Sequence, residues 1–251
     1  VGRAFHFVGS VHPAPYTHMV LTESTNAYST GPLFAGVGTG TDFVGHGFDG
    51  NTSDPTTGDV YYRCRIGPCP TEFYVLRQGA SAWTALANNP LATNETSADA
   101  SAITYFVEMR ALILVHPSGR VFKCVDPCSV AGNWSQFGTT IGDAGSYVFA
   151  EYNRQRGFVL LGGFDNGFAY TLSAAGVINQ KPYFNTSPYT GSGYNGNVIA
   201  DPVTGVFIVL SGNGGSPTTH TCGTYDVSAV PGLTATQGSC TAPPANLVGS
   251  N

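Results

Sequence analysis

Charge is what this sequence has least of. Only 10% of its 251 residues are Asp, Glu, Lys or Arg, against roughly 25% in an average soluble domain. Ten basic and fifteen acidic residues leave a formal net charge of -5. Basic residues this few and this scattered build no patch, which excludes nucleic acid and an anionic membrane surface as partners. Long apolar runs are missing too. No stretch of about 18 apolar residues exists to span a bilayer as a helix. Sustained 3.6-residue periodicity with caps is absent, so almost no helix is expected. The chain opens on Val1 without a leader, as a processed product or an excised domain would.

Catalytic signatures are equally scarce. There is no G-x-S-x-G elbow and no H-E-x-x-H pair. Gly36-Val37-Gly38-Thr39-Gly40 is rich in glycine, but no helix pattern follows it to receive a phosphate. His6, His12 and His18 recur every six residues, a spacing that puts them on one face of no regular element, and His46, His116 and His220 stand alone. No metal or organic cofactor is expected from these residues. The one candidate cation loop is Asp49-Gly50-Asn51-Thr52-Ser53-Asp54 with Asp59 beyond it. Asp49, Asn51, Ser53 and Asp59 offer alternating oxygen ligands of the kind that hold calcium, without the closing bidentate Glu.

What is present points to turns, pins and strands. The 33 glycines and 16 prolines suit a fold with many tight connections. The six cysteines fall into three close pairs: Cys64 with Cys69, Cys124 with Cys128, and Cys222 with Cys240. Even, local pairing reads as disulfides made in an oxidising compartment. Zinc is the competing reading, and the short pairs lack the two-residue spacing it uses. Sequons stand at Asn51, Asn94, Asn133 and Asn185, all in expected loops where a glycan is tolerated. Together these features predict a secreted glycoprotein.

A repeat organises the rest. Gly119-Arg120-Val121-Phe122-Lys123-Cys124 matches Asp59-Val60-Tyr61-Tyr62-Arg63-Cys64 and Gly167-Phe168-Ala169-Tyr170-Thr171-Leu172, and Thr218-Thr219-His220-Thr221-Cys222 falls in the same place. The period is about 50 residues, giving five units. Each unit has a first apolar strand, a turn, a continuously apolar strand, then a strand bearing Tyr or Phe. The fourth reads Tyr147-Val148-Phe149-Ala150, Gly157-Phe158-Val159-Leu160-Leu161-Gly162-Gly163 and Phe168-Ala169-Tyr170-Thr171-Leu172. The continuous apolar run implies burial on both faces. Turns such as Asp201-Pro202-Val203-Thr204-Gly205 end in glycine, as hairpin chemistry wants. With Gly162-Gly163 ending one strand and Tyr170 in the next, the units resemble kelch-type and related β-propeller blades. The resemblance implies an all-β fold, a propeller of about five blades over residues 1–240, with 241–251 as an extended tail. It implies no activity, because propellers host enzymes, lectins and scaffolds alike. The strand Arg3-Ala4-Phe5-His6-Phe7-Val8 is expected to complete the last blade.

Candidate contact residues are aromatic. Tyr183, Tyr189 and Tyr194 lie in a polar loop, and Trp83 and Trp134 follow the cysteine hairpins; exposed rings of this kind stack on sugars or on a partner. For the tryptophans, packing of the outer strands is the competing role. Among the acids, Asp42, Asp165 and Glu108 are candidates for a channel-mouth pair that hydrolyses glycosides. Asp54, Asp59, Asp126 and Asp201 are expected to cap turns. The leading functional expectation is a non-catalytic extracellular module, a structural subunit of a surface layer, fibre or matrix that contacts other copies or glycan. A lectin using the aromatic loops, and a carbohydrate-active enzyme using the channel-mouth acids, are the alternatives.

Overall fold

The computed structural model describes residues 4–9, 17–22, 24–31, 50–63, 73–88, 101–142, 148–163, 167–182, 197–212, 220–230 and 235–240. Among them almost everything regular is β. Five antiparallel sheets follow one another along the chain. The first comprises β1 (Ala4–Gly9), β2 (Thr17–Thr22) and β3 (Ala27–Thr30). The second comprises β4 (Asn51–Ser53), β5 (Val60–Arg63), β6 (Phe73–Leu76) and β7 (Thr84–Ala85). The third runs through β8 (Ala102–Phe106), β9 (Ala111–Val115), β10 (Val121–Val125) and β11 (Trp134–Gln136). The fourth holds β12 (Val148–Asn153), β13 (Phe158–Gly163), β14 (Phe168–Ser173) and β15 (Ile178–Lys181). The fifth holds β16 (Asn197–Ala200), β17 (Phe207–Gly212), β18 (His220–Asp226) and β19 (Thr236–Ser239). Each is a simple meander. Helix is limited to single 3-10 turns at Val107–Met109 and Ala131–Asn133 among the described residues.

The apolar second strands explain how the sheets stack. Along β13, Val159 and Leu161 belong to a core shared with the third sheet, where they meet Phe106, Ile113 and Val115. The alternate residues Phe158 and Leu160 turn the other way, into a core with Phe207, Val209 and Tyr225 of the fifth sheet. β9 repeats the scheme, with Leu112 and Leu114 facing Tyr61, Phe73 and Val75 of the second sheet. Successive side chains point to opposite faces of a strand, so a strand covered on both faces must be apolar at every position. Phe73, Ile113, Leu160 and Phe207 are accordingly 0% exposed.

The first strands of successive sheets lie side by side: β4 against β8, β8 against β12, and β12 against β16. Hydrogen bonds cross these seams. The Tyr105 N–H donates to Thr52 Oγ1 at 3.1 Å, and the Ala200 N–H to Glu151 Oε1 at 2.9 Å. The second to fifth meanders pack face to face with their first strands innermost, and with the first sheet the chain forms a β-propeller of five blades, as the repeat predicts. Two disulfides pin it locally. Cys124–Cys128 ties the end of β10 to its following turn, and Cys222–Cys240 ties β18 to the residue after β19. Cys64 and Cys69 lie outside the described residues. No helix among the described residues is long and apolar enough to cross a membrane.

One expected pairing is corrected. β1, which contains most of Arg3–Val8, does not complete the last sheet. It pairs with β2 in register from Ala4 opposite Thr22 to Gly9 opposite Thr17. The last sheet takes its fourth strand from β19, with Gly223 opposite Ser239 and Asp226 opposite Thr236. The hydrophobic alternation of Ala4–Gly9 identifies a strand and carries no information about its partner.

Candidate functional site

The polar clusters of the described residues sit where one sheet meets the next, and they hold sheets together. Asp59, at the start of β5, is buried beneath Arg77, which follows β6. Arg77 Nη1 donates to Asp59 Oδ2 at 2.6 Å, while the Gln78 N–H donates to Asp59 Oδ1 at 2.8 Å. Burial alone would raise the Asp59 pKa, but the Arg77 and Gln78 hydrogen bonds outweigh it and hold the carboxyl below its ordinary value. Arg77 Nη2 reaches Asp126 of the third sheet at 3.4 Å, and Arg110 approaches the same carboxylate at 3.6 Å. Beneath this chain of charges the rings of Tyr61 and Tyr105 stack at 4.9 Å with 11° between their planes. Burial, reinforced by the neighbouring Tyr105, lifts the Tyr61 phenol well above its usual range.

The fourth and fifth sheets are clamped in the same manner. Arg156 donates to Asp226, to the Val227 carbonyl at 2.6 Å and to the Thr204 carbonyl at 3.3 Å. Asn153, fully buried, donates from Nδ2 to the Gly205 carbonyl at 2.8 Å. Every charge in these clusters is spent on a neighbour within the domain. They stabilise the seams between sheets.

Glu108 belongs to this class as well. It lies exposed in the turn after β8 and accepts a hydrogen bond from the Tyr152 hydroxyl at 3.0 Å. Burial and that contact push the Tyr152 phenol upward. Asp42 and Asp165 lie outside the described residues. Asp54 and Asp201 do cap turns: Asp54 accepts from the Thr56 N–H and Thr57 hydroxyl, and Asp201 from the Val203 and Thr204 N–H groups and the Thr204 hydroxyl. Asp59 and Asp126 are ion-pair partners instead. Of the calcium candidates, Asp49 lies outside the described residues. Asn51 and Ser53 are exposed on β4, and both Asp59 oxygens are already engaged as above.

Trp83 and Trp134 are corrected from contact residues to core residues. Trp83 is 5% exposed and meets Tyr62 edge-on at 6.3 Å. Trp134 is 8% exposed, packs on Phe73 at 5.0 Å, and donates its indole N–H to the Ala87 carbonyl at 2.8 Å. A ring whose faces are covered offers no platform to a sugar. Tyr183, Tyr189 and Tyr194 lie outside the described residues, as do the sequons at Asn94 and Asn185. Asn51 is exposed, and Asn133 is half-buried with its Oδ1 accepting the Val130 N–H at 3.1 Å.

The outer strands form the surface that sequence reasoning missed. They are short, polar and lack the apolar runs that mark the inner strands. β19 (Thr-Gln-Gly-Ser) is exposed at all four positions, and β7 (Thr-Ala) at both. Ser135 and Gln136 of β11 are exposed, and so is Tyr28 of β3, at 61%. These strands hold one charged residue among them, Lys181 of β15, and it turns inward. Lys181 is 3% exposed, donates to the Val230 carbonyl of the fifth sheet at 2.6 Å, and burial lowers its pKa.

No protein-family model matches the chain, and the search of curated proteins finds no match. Solved structures do resemble it in fold. TolB from Acinetobacter baumannii superimposes with a TM-score of 0.57 and 11% identity, over 95% of this chain and 52% of TolB. A Bacteroides thetaiotaomicron protein of unknown function gives 0.53 and 13%, over 84% of this chain and 50% of that one. Virginiamycin B lyase from Staphylococcus aureus gives 0.51 and 10%, over 97% and 76%. The chain therefore spans about half the length of the first two. At such identities the likeness is one of fold, and the fold is the propeller.

Proposed function

We propose that this domain is a non-catalytic building block of an extracellular structure, a surface layer, fibre or matrix, joined to further copies through the outer edges of its sheets. The observation that carries the reading is the lack of charge on those edges. A sheet edge presents unpaired N–H and C=O groups that invite another strand, and proteins that must stay apart guard their edges with Lys, Pro or bulges. Here β7, β11 and β19 carry no charged residue, and the one lysine on an outer strand is turned into the protein. The low charge of the whole chain points the same way, because net and surface charge keep molecules separate. The local disulfides support an oxidising, secretory route. The sequons at Asn51, Asn94, Asn133 and Asn185 supply positions for a glycan coat, and among the described residues Asp59, Asp126 and Asp226 are paired with arginines at the seams.

Sedimentation velocity over a wide concentration range, on the glycoprotein secreted by a eukaryotic host, tests this. Reversible growth from monomer to larger species is expected. Charging the edge with Thr236→Lys and Ser239→Lys should shift the equilibrium back to monomer without unfolding the protein. A glycan-free monomer at every concentration would sink the reading.

A further inference from the structure

A sheet edge that must not recruit a neighbour is guarded by charge, proline or a bulge. β11 is the outer strand of the third sheet, and its three residues, Trp134, Ser135 and Gln136, include no charge and no proline. Among the described residues nothing pairs with its outer side. The groups left open there can be located. The Phe137 N–H donates to the Val121 carbonyl at 2.9 Å, and in an antiparallel pair alternate residues bond to the partner strand. Ser135 and Phe137 therefore bond inward, onto β10, and Gln136 turns its N–H and C=O to the open edge. The Trp134 N–H is already returned to the Ala131 carbonyl. The open backbone of Gln136 thus lies three residues beyond Asn133, about 10 Å along a strand.

We propose that Asn133 carries an N-linked glycan and that this glycan guards the β11 edge, so that assembly proceeds through the other uncharged edges, β7 and β19. The inference rests on the reading that uncharged edges recruit further copies, and it narrows that reading. The side chain is placed for the modification. Asn133 closes the 3-10 turn Ala131–Asn133, and its Oδ1 accepts the Val130 N–H at 3.1 Å. The carboxamide is thereby fixed through its oxygen. Its Nδ2 has no hydrogen-bond partner among the described residues and reaches solvent. Ser135, the hydroxyl residue of the Asn133-Trp134-Ser135 sequon, is exposed. Trp134 between them packs on Phe73 and donates its indole N–H to the Ala87 carbonyl, so the sequon is anchored through its middle residue. The surroundings leave room, since a Cβ added at Gly132 or at Gly138 would meet nothing within 4 Å. Val130, 59% exposed beside the turn, is apolar surface that a glycan covers. A bulky, hydrated oligosaccharide rooted at this point sweeps across Gln136. Asn51 differs. It lies on β4, an innermost strand, where the adjoining Thr52 hydroxyl accepts the Tyr105 N–H at the seam, so a glycan there guards no outer edge. In the transfer, the Asn133 Nδ2 forms a bond to the anomeric carbon of an N-acetylglucosamine. The bond from that carbon to the diphosphate of a lipid-linked oligosaccharide breaks, Nδ2 gives up one proton, and the lipid diphosphate leaves.

The full chain secreted by a eukaryotic host provides the test. Glycopeptide mapping should place an oligosaccharide on Asn133. Ser135→Ala removes the sequon and keeps the hydrogen bond from Val130 to Asn133; in sedimentation velocity it should associate about tenfold more tightly than the wild type. Adding Gln136→Lys to that variant should return association to the wild-type level, because charge then guards the same edge. Endoglycosidase trimming of the folded wild type and of Gln136→Lys gives the same comparison where Ser135→Ala is not secreted. An unmodified Asn133, or equal association with and without the sequon, would overturn the inference, the second while leaving edge assembly in place. A glycosylated wild type that stays monomeric while Ser135→Ala associates keeps the inference and removes the proposed assembly. Association in neither form overturns both.

Discussion

His116 follows β9 with its ring buried and its Nδ1 accepting the Ser118 N–H at 3.1 Å. Burial, with the Arg63 guanidinium adding to it, pushes its pKa down to about 4. An unfolded histidine titrates near 6.5, at about its ordinary value. Between those two values the unfolded chain binds a proton that the folded protein refuses, so stability falls as pH drops from about 6.5 towards about 4. Urea midpoints measured across that interval should decline, and His116→Asn should flatten the slope. Asp59 acts in a lower window. Its depressed pKa gives stability that is complete above the ordinary carboxylate range, near about 4, and is lost as pH falls through the lowered value. Gly119 is the least open to change among the described glycines. Its φ is +79°, and a Cβ there would lie 1.8 Å from the Ile141 carbonyl oxygen and 2.5 Å from that of Gly142. Backbone cannot yield by such distances, so Gly119→Ala should prevent secretion of folded protein, read as loss of the soluble species on a sizing column. Residues of this kind were half legible. The repeat marks Gly119 as a turn, but the carbonyl that forbids a side chain arrives from the far side of β10 and β11. The two tryptophans illustrate the limit. Their sequence neighbours left packing and contact both open, and only the third dimension supplies Phe73 and Tyr62 to cover them.

Elements were read more surely than residues. In the fourth sheet the expected segments coincide with the first three strands to within a few residues, because continuous apolar runs follow directly from burial on two faces. The fourth strand of each sheet escaped notice, since a short exposed strand such as Thr236–Ser239 has no pattern to betray it. Turns carry their own logic. In Asp54–Asp59 and again in Asp201–Val206, the first residue caps the turn through its carboxylate. Its N–H also donates to the carbonyl of the sixth residue, and the glycine N–H returns to the carbonyl of the first. Such a hairpin is closed locally, whereas the Arg156 clamp joins two sheets and is partly withdrawn from water. Arg156→Ala leaves the Val227 and Thr204 carbonyls without this donor and should cost about 2 kcal/mol, a fall of about 4–8 °C in Tm. Asp201→Ala, on an exposed turn, should cost less. Thermal scans of the two variants side by side check the order; a larger loss for Asp201→Ala would show that turns, and not seams, limit stability.

At the scale of the molecule, the five-blade fold was legible and the partner of the first strand was not. Period and apolar runs determine how many sheets there are. Which segment completes which sheet depends on counting strand positions, and that count needs the hydrogen-bond ladders. The proposed edge-mediated assembly also belongs to this scale, and it predicts a definite salt response. Contacts made by backbone groups and neutral side chains are not screened, so association measured by sedimentation should change little between low and high ionic strength. A strong weakening by salt would assign it to ion pairs instead. The recurrence of one six-residue turn in the second and fifth sheets has a broader meaning. A hairpin that satisfies its own backbone needs no help from its neighbours to form, so a blade built on it is a portable unit. Copying or deleting such a unit changes the number of blades while leaving each junction chemically familiar. A lineage built on this plan can therefore vary the circumference of its rings by whole blades, without inventing a new way to turn the chain.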